Sequence, residues 1–336
     1  MSLAVDRQRW RRLVVSLFLI SGGVWLGVSA AWPQEGKAPV SARKGVDFSA
    51  FAQVRYNHYL REGIDTFAVR RVRLSFAASI LDDLDFKVQL EQTKQTSLVE
   101  AYLSFHFGNW AEIRAGQFKI PFSYENLKSA SEQDFINRSS VVENLCPGRD
   151  IGAQGRDVGV IGQVRSTVFE ATLGLFNGSG INRLDTDDHK DKAFRLTFSP
   201  WRNLTVGGSW YEGLWPESES SVSRLRRRRG LEGQWHSNFL ALAAEYISAV
   251  NYDQEAEGWV VQASLLLRRG QIQPVLRFES LDGDKTLPDD AEKVLTYGAN
   301  IHLASRTKLQ FNLESHRPQG AKQRQNIYLF QFQIGF

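Results

Sequence analysis

The sequence predicts an all-β fold, a transmembrane antiparallel β-barrel of about 16 strands, from three observations. Apolar side chains recur at every second position from about residue 46 to residue 336, the period of a strand with one greasy and one wet face. The alternate positions carry Arg, Lys, Glu, Gln and Asn almost throughout, which a packed soluble core would not tolerate. Tight turns alternate with longer polar loops, the pattern of strands that cross a bilayer in pairs. Nine Trp, 21 Phe and 27 Gly against one Met suit β structure with tight turns. A polytopic helical membrane protein is excluded, since no run of roughly 20 apolar residues follows residue 31.

Residues 1–31 read as a signal peptide. Arg7, Arg9, Arg11 and Arg12 precede an apolar run from Leu13 to Ala30, which closes on Val28-Ser29-Ala30 and Ala31-Trp32-Pro33. A basic start, a short apolar run and a small-residue exit are the marks of export. Ser16, Ser21, Gly22, Gly23 and Gly27 interrupt the run, which suits a cleaved signal better than a permanent anchor. Cleavage near Ala30 or Ala31 would leave an N-terminal periplasmic segment, 32–45, ahead of a barrel over 46–336. The removed piece holds four of the 41 basic and one of the 37 acidic side chains. The remainder is nearly balanced, so net charge gives no reason to invoke nucleic acid.

The strands follow in order, at about 46–57, 66–80, 86–94, 98–107, 112–120, 156–165, 168–177 and 191–199, then 203–212, 228–236, 239–248, 257–268, 271–280, 294–304, 306–316 and 326–336. The first sets Phe48, Ala50, Ala52, Val54 and Tyr56 against Ser49, Gln53 and Arg55. The last sets Tyr328, Phe330, Phe332, Ile334 and Phe336 against Gln331, Gln333 and Gly335. In the fifth, Phe118 and Ile120 fall out of phase with Ile113 and Ala115, so a β-bulge is expected there. Tight turns sit at Asp82–Asp85, Gly108–Ala111, Ser166-Thr167, Pro200–Arg202, Ser237-Asn238, Gly270 and Ser305-Arg306. Longer loops such as 178–190, 213–227 and 281–293 lie between them, and 121–155, the third on the long side, is the longest.

A two-sheet soluble sandwich shares the alternation. Aromatic side chains near strand ends, such as Phe105, Phe107, Tyr328 and Phe336, favour the barrel, because they suit the girdles at a membrane interface. The single Cys146 allows no intramolecular disulfide to staple an exported sandwich. Lipid cannot hydrogen-bond backbone groups, so strands that cross it must close into a barrel.

The run Arg114-Ala115-Gly116-Gln117-Phe118-Lys119-Ile120-Pro121-Phe122-Ser123-Tyr124-Glu125, followed by Pro147-Gly148-Arg149-Asp150-Ile151-Gly152-Ala153-Gln154, resembles the phosphate-selective porin O and P family. Phe176-Asn177-Gly178-Ser179-Gly180 and the final Ile334-Gly335-Phe336 fit the same picture. The resemblance implies a sixteen-stranded outer-membrane channel of a diderm bacterium, working as a homotrimer. It also implies that loop 121–155, a third extracellular loop, folds inward as a constriction. The final Phe resembles the signal read by the outer-membrane assembly machinery. The expected function is passive diffusion of small hydrophilic solutes, anions such as phosphate among them. The alternatives are a plugged or structural barrel and a barrel lipase. The expected partners beyond solutes are outer-membrane lipid and lipopolysaccharide.

A sixteen-stranded lumen is wide enough to hold water, so selectivity rests on what narrows and charges it. Arg55, Arg71, Arg73, Lys87 and Arg114 fall on inward positions of the early strands, with Glu91 and Glu100 among them. Later inward positions add Arg195, Arg277 and Lys308 against Glu170, Glu232, Glu245 and Glu314. A wall basic on one side and mixed on the other would draw anions, and guanidinium forks match phosphate or carboxylate. The loop itself carries Lys128, Arg138 and Arg149 against Glu125, Glu132, Asp134, Glu143 and Asp150. That acidic excess does not look like a dedicated phosphate trap, so strong, weak and absent anion selectivity all stay open. Arg149-Asp150 and Arg156-Asp157 are candidate structural ion pairs.

Several patterns remain. The run Arg224, Arg226, Arg227, Arg228 and Arg229 borders a long-side loop, where it would meet lipopolysaccharide phosphates, a neighbouring subunit or plain solvent. Cys146 reads as a spectator thiol. The six His show no metal-ligand spacing, and no cofactor is implied. An enzyme is disfavoured, because His106, His302 and His316 face inward and no G-x-S-x-G occurs.

Overall fold

The computed structural model describes residues 45–93, 98–185, 187–215, 225–267, 271–288, 290–317 and 324–336. The expected signal peptide and nearly all of the expected periplasmic segment therefore lie outside the described residues. Sixteen strands appear: β1 (Asp47–Tyr59), β2 (Ile64–Leu81), β3 (Leu84–Glu91), β4 (Leu98–Phe107), β5 (Ala111–Lys119), β6 (Arg156–Arg165), β7 (Phe169–Phe176) and β8 (Asp191–Trp201). They continue with β9 (Leu204–Leu214), β10 (Leu225–His236), β11 (Leu240–Asn251), β12 (Gln254–Leu265), β13 (Ile272–Asp282), β14 (Glu292–Ala304), β15 (Thr307–Arg317) and β16 (Gln325–Gly335). Each pairs antiparallel with its sequence neighbours and β1 closes on β16, giving one closed barrel. Every expected strand has its counterpart, with ends moved by three residues or fewer. The turn at 252–253 is tighter than expected because β11 and β12 continue their ladder as far as Asn251 and Gln254.

The polarity is that of a membrane barrel. Phe67 is 80% exposed and Leu231 64%, while Asn300 and Gln333 are fully buried, and Arg226, Arg228 and Arg277 rank among the largest enclosed side chains. A soluble domain inverts that arrangement. Here the outward set faces hydrocarbon and the polar set faces the interior, where hydrogen bonds must satisfy it.

Those bonds come largely from the segment between β5 and β6. Residues 120–155 carry two short helices, α1 (Tyr124–Leu127) and α2 (Ser140–Leu145). Ser123 and Ser139 cap them by accepting the backbone N–H of Asn126 and Val142, which satisfies donors that a helix start leaves free. The stem is closed where Ile120 N donates to Gly155 O at 3.0 Å. Gly155 has φ +73°, and a Cβ there would meet Asn126 Oδ1 at 2.0 Å, so only glycine fits.

The bulge expected in β5 does not occur. β5 pairs without a register shift on both sides, from Ala111↔Val164 to Lys119↔Arg156 and from Ala101↔Gln117 to Phe107↔Ala111. Phe118 instead shares the inner face with Glu112 and Arg114. It packs there with Phe122, Val141, Val142, Leu145 and Cys146 of the segment and with Ile161, Phe176, Tyr211 and Ile247 of the wall. An inward apolar side chain is favourable here because the segment covers it, each such burial contributing about 1.5–3 kcal/mol. Gly116 permits the close approach to β4, where a Cβ would meet Ala101 O at 2.2 Å.

Candidate functional site

The site begins with a bulge on β2. Gln53 pairs with Arg71 and Val54 with Val69, so Arg70 has no partner on β1. One extra residue re-aims the side chains beside it, and here it brings consecutive arginines, Arg70 and Arg71, to one cavity. That cavity, about 170 Å³, is also lined by Arg73, Arg138, Arg149 and Arg156. A second cavity of about 250 Å³ shares Arg70, Arg71, Ala130, Arg138 and Glu143, and its far wall presents Arg277, Glu279, Glu314 and His316.

Pairing decides which charges are free. Arg73 Nε meets Glu91 at 2.9 Å and its Nη2 meets Gln154 at 2.8 Å. Arg156 holds Glu100 at 2.6 Å, and Arg149 holds Glu143 at 2.8 Å. Arg71 donates to the neutral Gln53, at 3.1 Å, and Arg138 to the backbone oxygen of Lys128, at 2.8 Å. Among the described residues Arg70, Arg71 and Arg138 make no ion pair. Burial, and after it the charge of Arg149, lowers the Arg138 pKa to about 9, so it remains charged at neutral pH. The carboxylates opposite are already engaged. Glu279 accepts from Ser140 N at 2.6 Å and Ser140 Oγ at 2.9 Å, and Glu314 from Asn137 at 3.1 and 3.2 Å. Cations with open donors facing carboxylates with filled lone pairs favour a solute rich in acceptor oxygens.

The segment is tied across the barrel by inner-face groups. Arg55 donates to Asn137 Oδ1 at 2.9 Å and Ile136 O at 3.1 Å. Asn312 accepts from Ile136 N at 2.8 Å, and Lys308 donates to Gln133 O at 2.6 Å. On β11, Glu245 accepts from Glu125 N at 2.7 Å. On β10, Arg226 and Arg228 both grip the buried Asp150, Arg228 at 2.7 Å. Burial disfavours the Lys128 ammonium, but Asp134 at 2.9 Å outweighs it and raises its pKa. Burial, by disfavouring the thiolate, pushes up the pKa of the Cys146 thiol, which is free and enclosed.

The sequence-derived residues therefore separate. Arg71, Arg73, Arg138 and Arg149 meet at the cavity. Arg55 lies under the segment as an anchor. Lys87 pairs with Glu100 at 2.9 Å and Arg114 with Glu112 at 2.7 Å, away from the cavity. Lys128 is spent on Asp134. The ion pairs proposed between neighbours in sequence do not form: Arg149 takes Glu143, Asp150 takes Arg226 and Arg228, and Arg156 takes Glu100. Asp157 accepts backbone N–H groups from Gly178 and Gly180 instead. Adjacent side chains on a strand point to opposite faces, so Arg156 and Asp157 could not pair. Arg70 escaped the sequence reading, and Arg156 entered it only as a partner for Asp157. The signal for Arg70 is a phase break, since Phe67 and Val69 are in step with each other but out of step with Val72, Leu74 and Phe76. The histidines considered for an enzyme are engaged too, His106 with Asp85 at 3.0 Å, His302 with Gln273 at 2.9 Å and His316 with Glu292 at 2.8 Å.

The fold is that of solved outer-membrane porins. The anion-selective porin from Comamonas acidovorans superposes with a TM-score of 0.67 at 14% identity, over 87% of this chain and 99% of that one. An OmpT loop-deletion mutant from Vibrio cholerae gives 0.65 at 11% identity, over 87% and 99%. The outer-membrane channel DcaP of Acinetobacter baumannii gives 0.62 at 11% identity, over 90% and 99%. No curated protein matches the chain. A family model of phosphate-selective porins O and P matches residues 42–214, a stretch that holds the β2 bulge, the cavity-lining segment and more than half of the 336 residues. The chain thus belongs to the phosphate-selective porin O and P family, and it is a passive channel of the outer membrane.

Proposed function

We propose that this porin prefers anions, and that small oxyanions, phosphate among them, pass between segment 120–155 and the inner face of β2. The observation that carries the reading is the set Arg70, Arg71 and Arg138, three guanidinium groups around one cavity that make no ion pair among the described residues. Held in a confined, partly desolvated space, such charges act on a passing ion more strongly than they would in bulk water. Arg73, Arg149 and Arg156 stand behind them, each shared with a carboxylate, and add donors more than net charge. The segment is the constriction, Arg55 and Lys128 help to hold its shape, and Lys87 and Arg114 line the wider part of the lumen. The working unit is a homotrimer, a state in which one Vibrio cholerae neighbour was solved. Residues 1–31 direct export.

Planar-bilayer recording tests the reading. Discrete conductance steps are expected and, in a potassium chloride gradient, a reversal potential on the chloride side. A reversal potential on the potassium side would overturn the anion preference. The many bonds from the segment to the wall favour a second reading, a barrel closed by its own loop. Silence at high protein dose would establish that plug.

A further inference from the structure

The run from Arg226 to Arg229 does two things, because alternation splits it. Arg226 and Arg228 point inward to Asp150. Arg227 and Arg229 point outward, in phase with the exposed Leu231. In the outward register, Lys192 of β8 faces Glu212 of β9, and Glu212 faces Arg227 of β10. One row nearer the membrane centre, Phe194 faces Trp210 and Trp210 faces Arg229. Arg227 is bonded to Glu212 at 2.8 and 3.0 Å. Lys192 and Arg229 are exposed, and among the described residues neither makes an ion pair. The three cations and one carboxylate leave a net charge of about +2 on a surface that borders an aromatic row. Lys192, Glu212 and Arg227 lie within three residues of the strand ends that join the longer connections, such as 177–190 and 215–224, and Phe194, Trp210 and Arg229 stand one row further in. In an outer-membrane barrel that end faces outward.

A cation with open donors on the lipid-facing wall needs an anion at its own depth. The outer leaflet supplies one in the phosphate groups of its glycolipid. We propose that Lys192, Arg227 and Arg229 form a docking site for the phosphorylated headgroup of lipopolysaccharide, with Phe194, Trp210 and Leu231 against the acyl chains below. The charge complementarity and the change from basic to apolar within one register row commit the surface to a lipid that is anionic above and hydrocarbon beneath. Glu212 fixes the Arg227 guanidinium without neutralising its two neighbours. The site rests on the outer-membrane placement above and is independent of what the lumen conducts.

The test compares the full-length porin with the double variant Lys192→Ala, Arg229→Ala. Both are refolded into phosphatidylcholine vesicles that contain either bis-phosphorylated lipid A or its dephosphorylated form, and retained lipid is counted by native mass spectrometry. The wild type is expected to retain the phosphorylated form preferentially. The double variant is expected to lose that retention by roughly tenfold or more, since it removes two basic side chains that attract an anionic surface. Equal retention by the two proteins would overturn the site, as would equal retention of the two lipids by the wild type, a comparison that needs no variant. Loss of trimers with lipid retention unchanged would assign the face to a neighbouring copy and equally overturn it. Conductance steps recorded on the same preparations keep the lipid site and the channel reading apart.

Discussion

Asp150→Ala is expected to loosen the far end of segment 120–155 and, if that segment narrows the pore as proposed, to raise single-channel conductance, with more open-channel noise. Asp150 is 2% exposed at its side chain and is the shared partner of Arg226 and Arg228, themselves 1% and 0% exposed. Removing one member of a buried ion pair costs about 3–5 kcal/mol, because the remaining charge is left uncompensated. Here two guanidiniums are affected. Arg226 keeps the Tyr211 hydroxyl at 3.2 Å, and Arg228 keeps the backbone oxygen of Val250 at 3.0 Å. The wall should therefore survive while the segment lets go. The barrel contributes its own ladder of sixteen paired strands, so the loss should fall on residues 147–155 more than on global stability. Asp150→Asn keeps an acceptor and should lie between. Conductance and thermal unfolding measured on all three proteins check the order. Unchanged conductance in Asp150→Ala would show that the clamp does not set the bore.

Arg70→Gln with Arg71→Gln is expected to abolish most of the anion preference while leaving the fold intact. Neither side chain has a carboxylate to strand, and both are half-exposed to the cavity. Arg73→Gln should behave in the opposite way. It leaves the fully buried Glu91 without its cation, so it should cost about 3–5 kcal/mol of stability for a smaller change in selectivity. Reversal potentials and unfolding midpoints of the two proteins form the check. If Arg73→Gln moved selectivity more than the double variant did, net local charge would not be what the passing ion senses.

The fold was legible because a barrel wall obeys one rule at every strand. Two faces meet two solvents, so the apolar set of β16 or β14 declares its direction without knowledge of any neighbour. The site was legible only in part. Arg71, Arg73, Lys87 and Arg114 declare an inner face by phase, but pairing depends on which residue of the next strand stands opposite. Arg73 meets Glu91 and Lys87 meets Glu100 across strands, through register and side-chain reach, which spacing along one strand does not contain, whereas Arg114 meets Glu112 two residues back on its own strand. Arg70 was hidden for a different reason, since a bulge breaks the period on which the reading relies. Phe118 misled because a covered inner face can be apolar. The acidic excess counted along the loop leaves out the wall arginines that hold some of its acids. Asp150 alone is bound by two.

Anion preference of this origin requires that solute pass beside Arg71. The most direct measurement is the current through Arg71→Cys before and after a water-soluble, negatively charged thiosulfonate reagent. The native Cys146 is buried, with its thiol pKa raised by that burial, so the parent protein serves as the unreactive background. The expected result is rapid labelling at position 71, a lower conductance and a reversal potential displaced toward potassium. Labelling that leaves the current unaltered, or an introduced thiol that resists the reagent in the folded barrel, would contradict a solute path along β2.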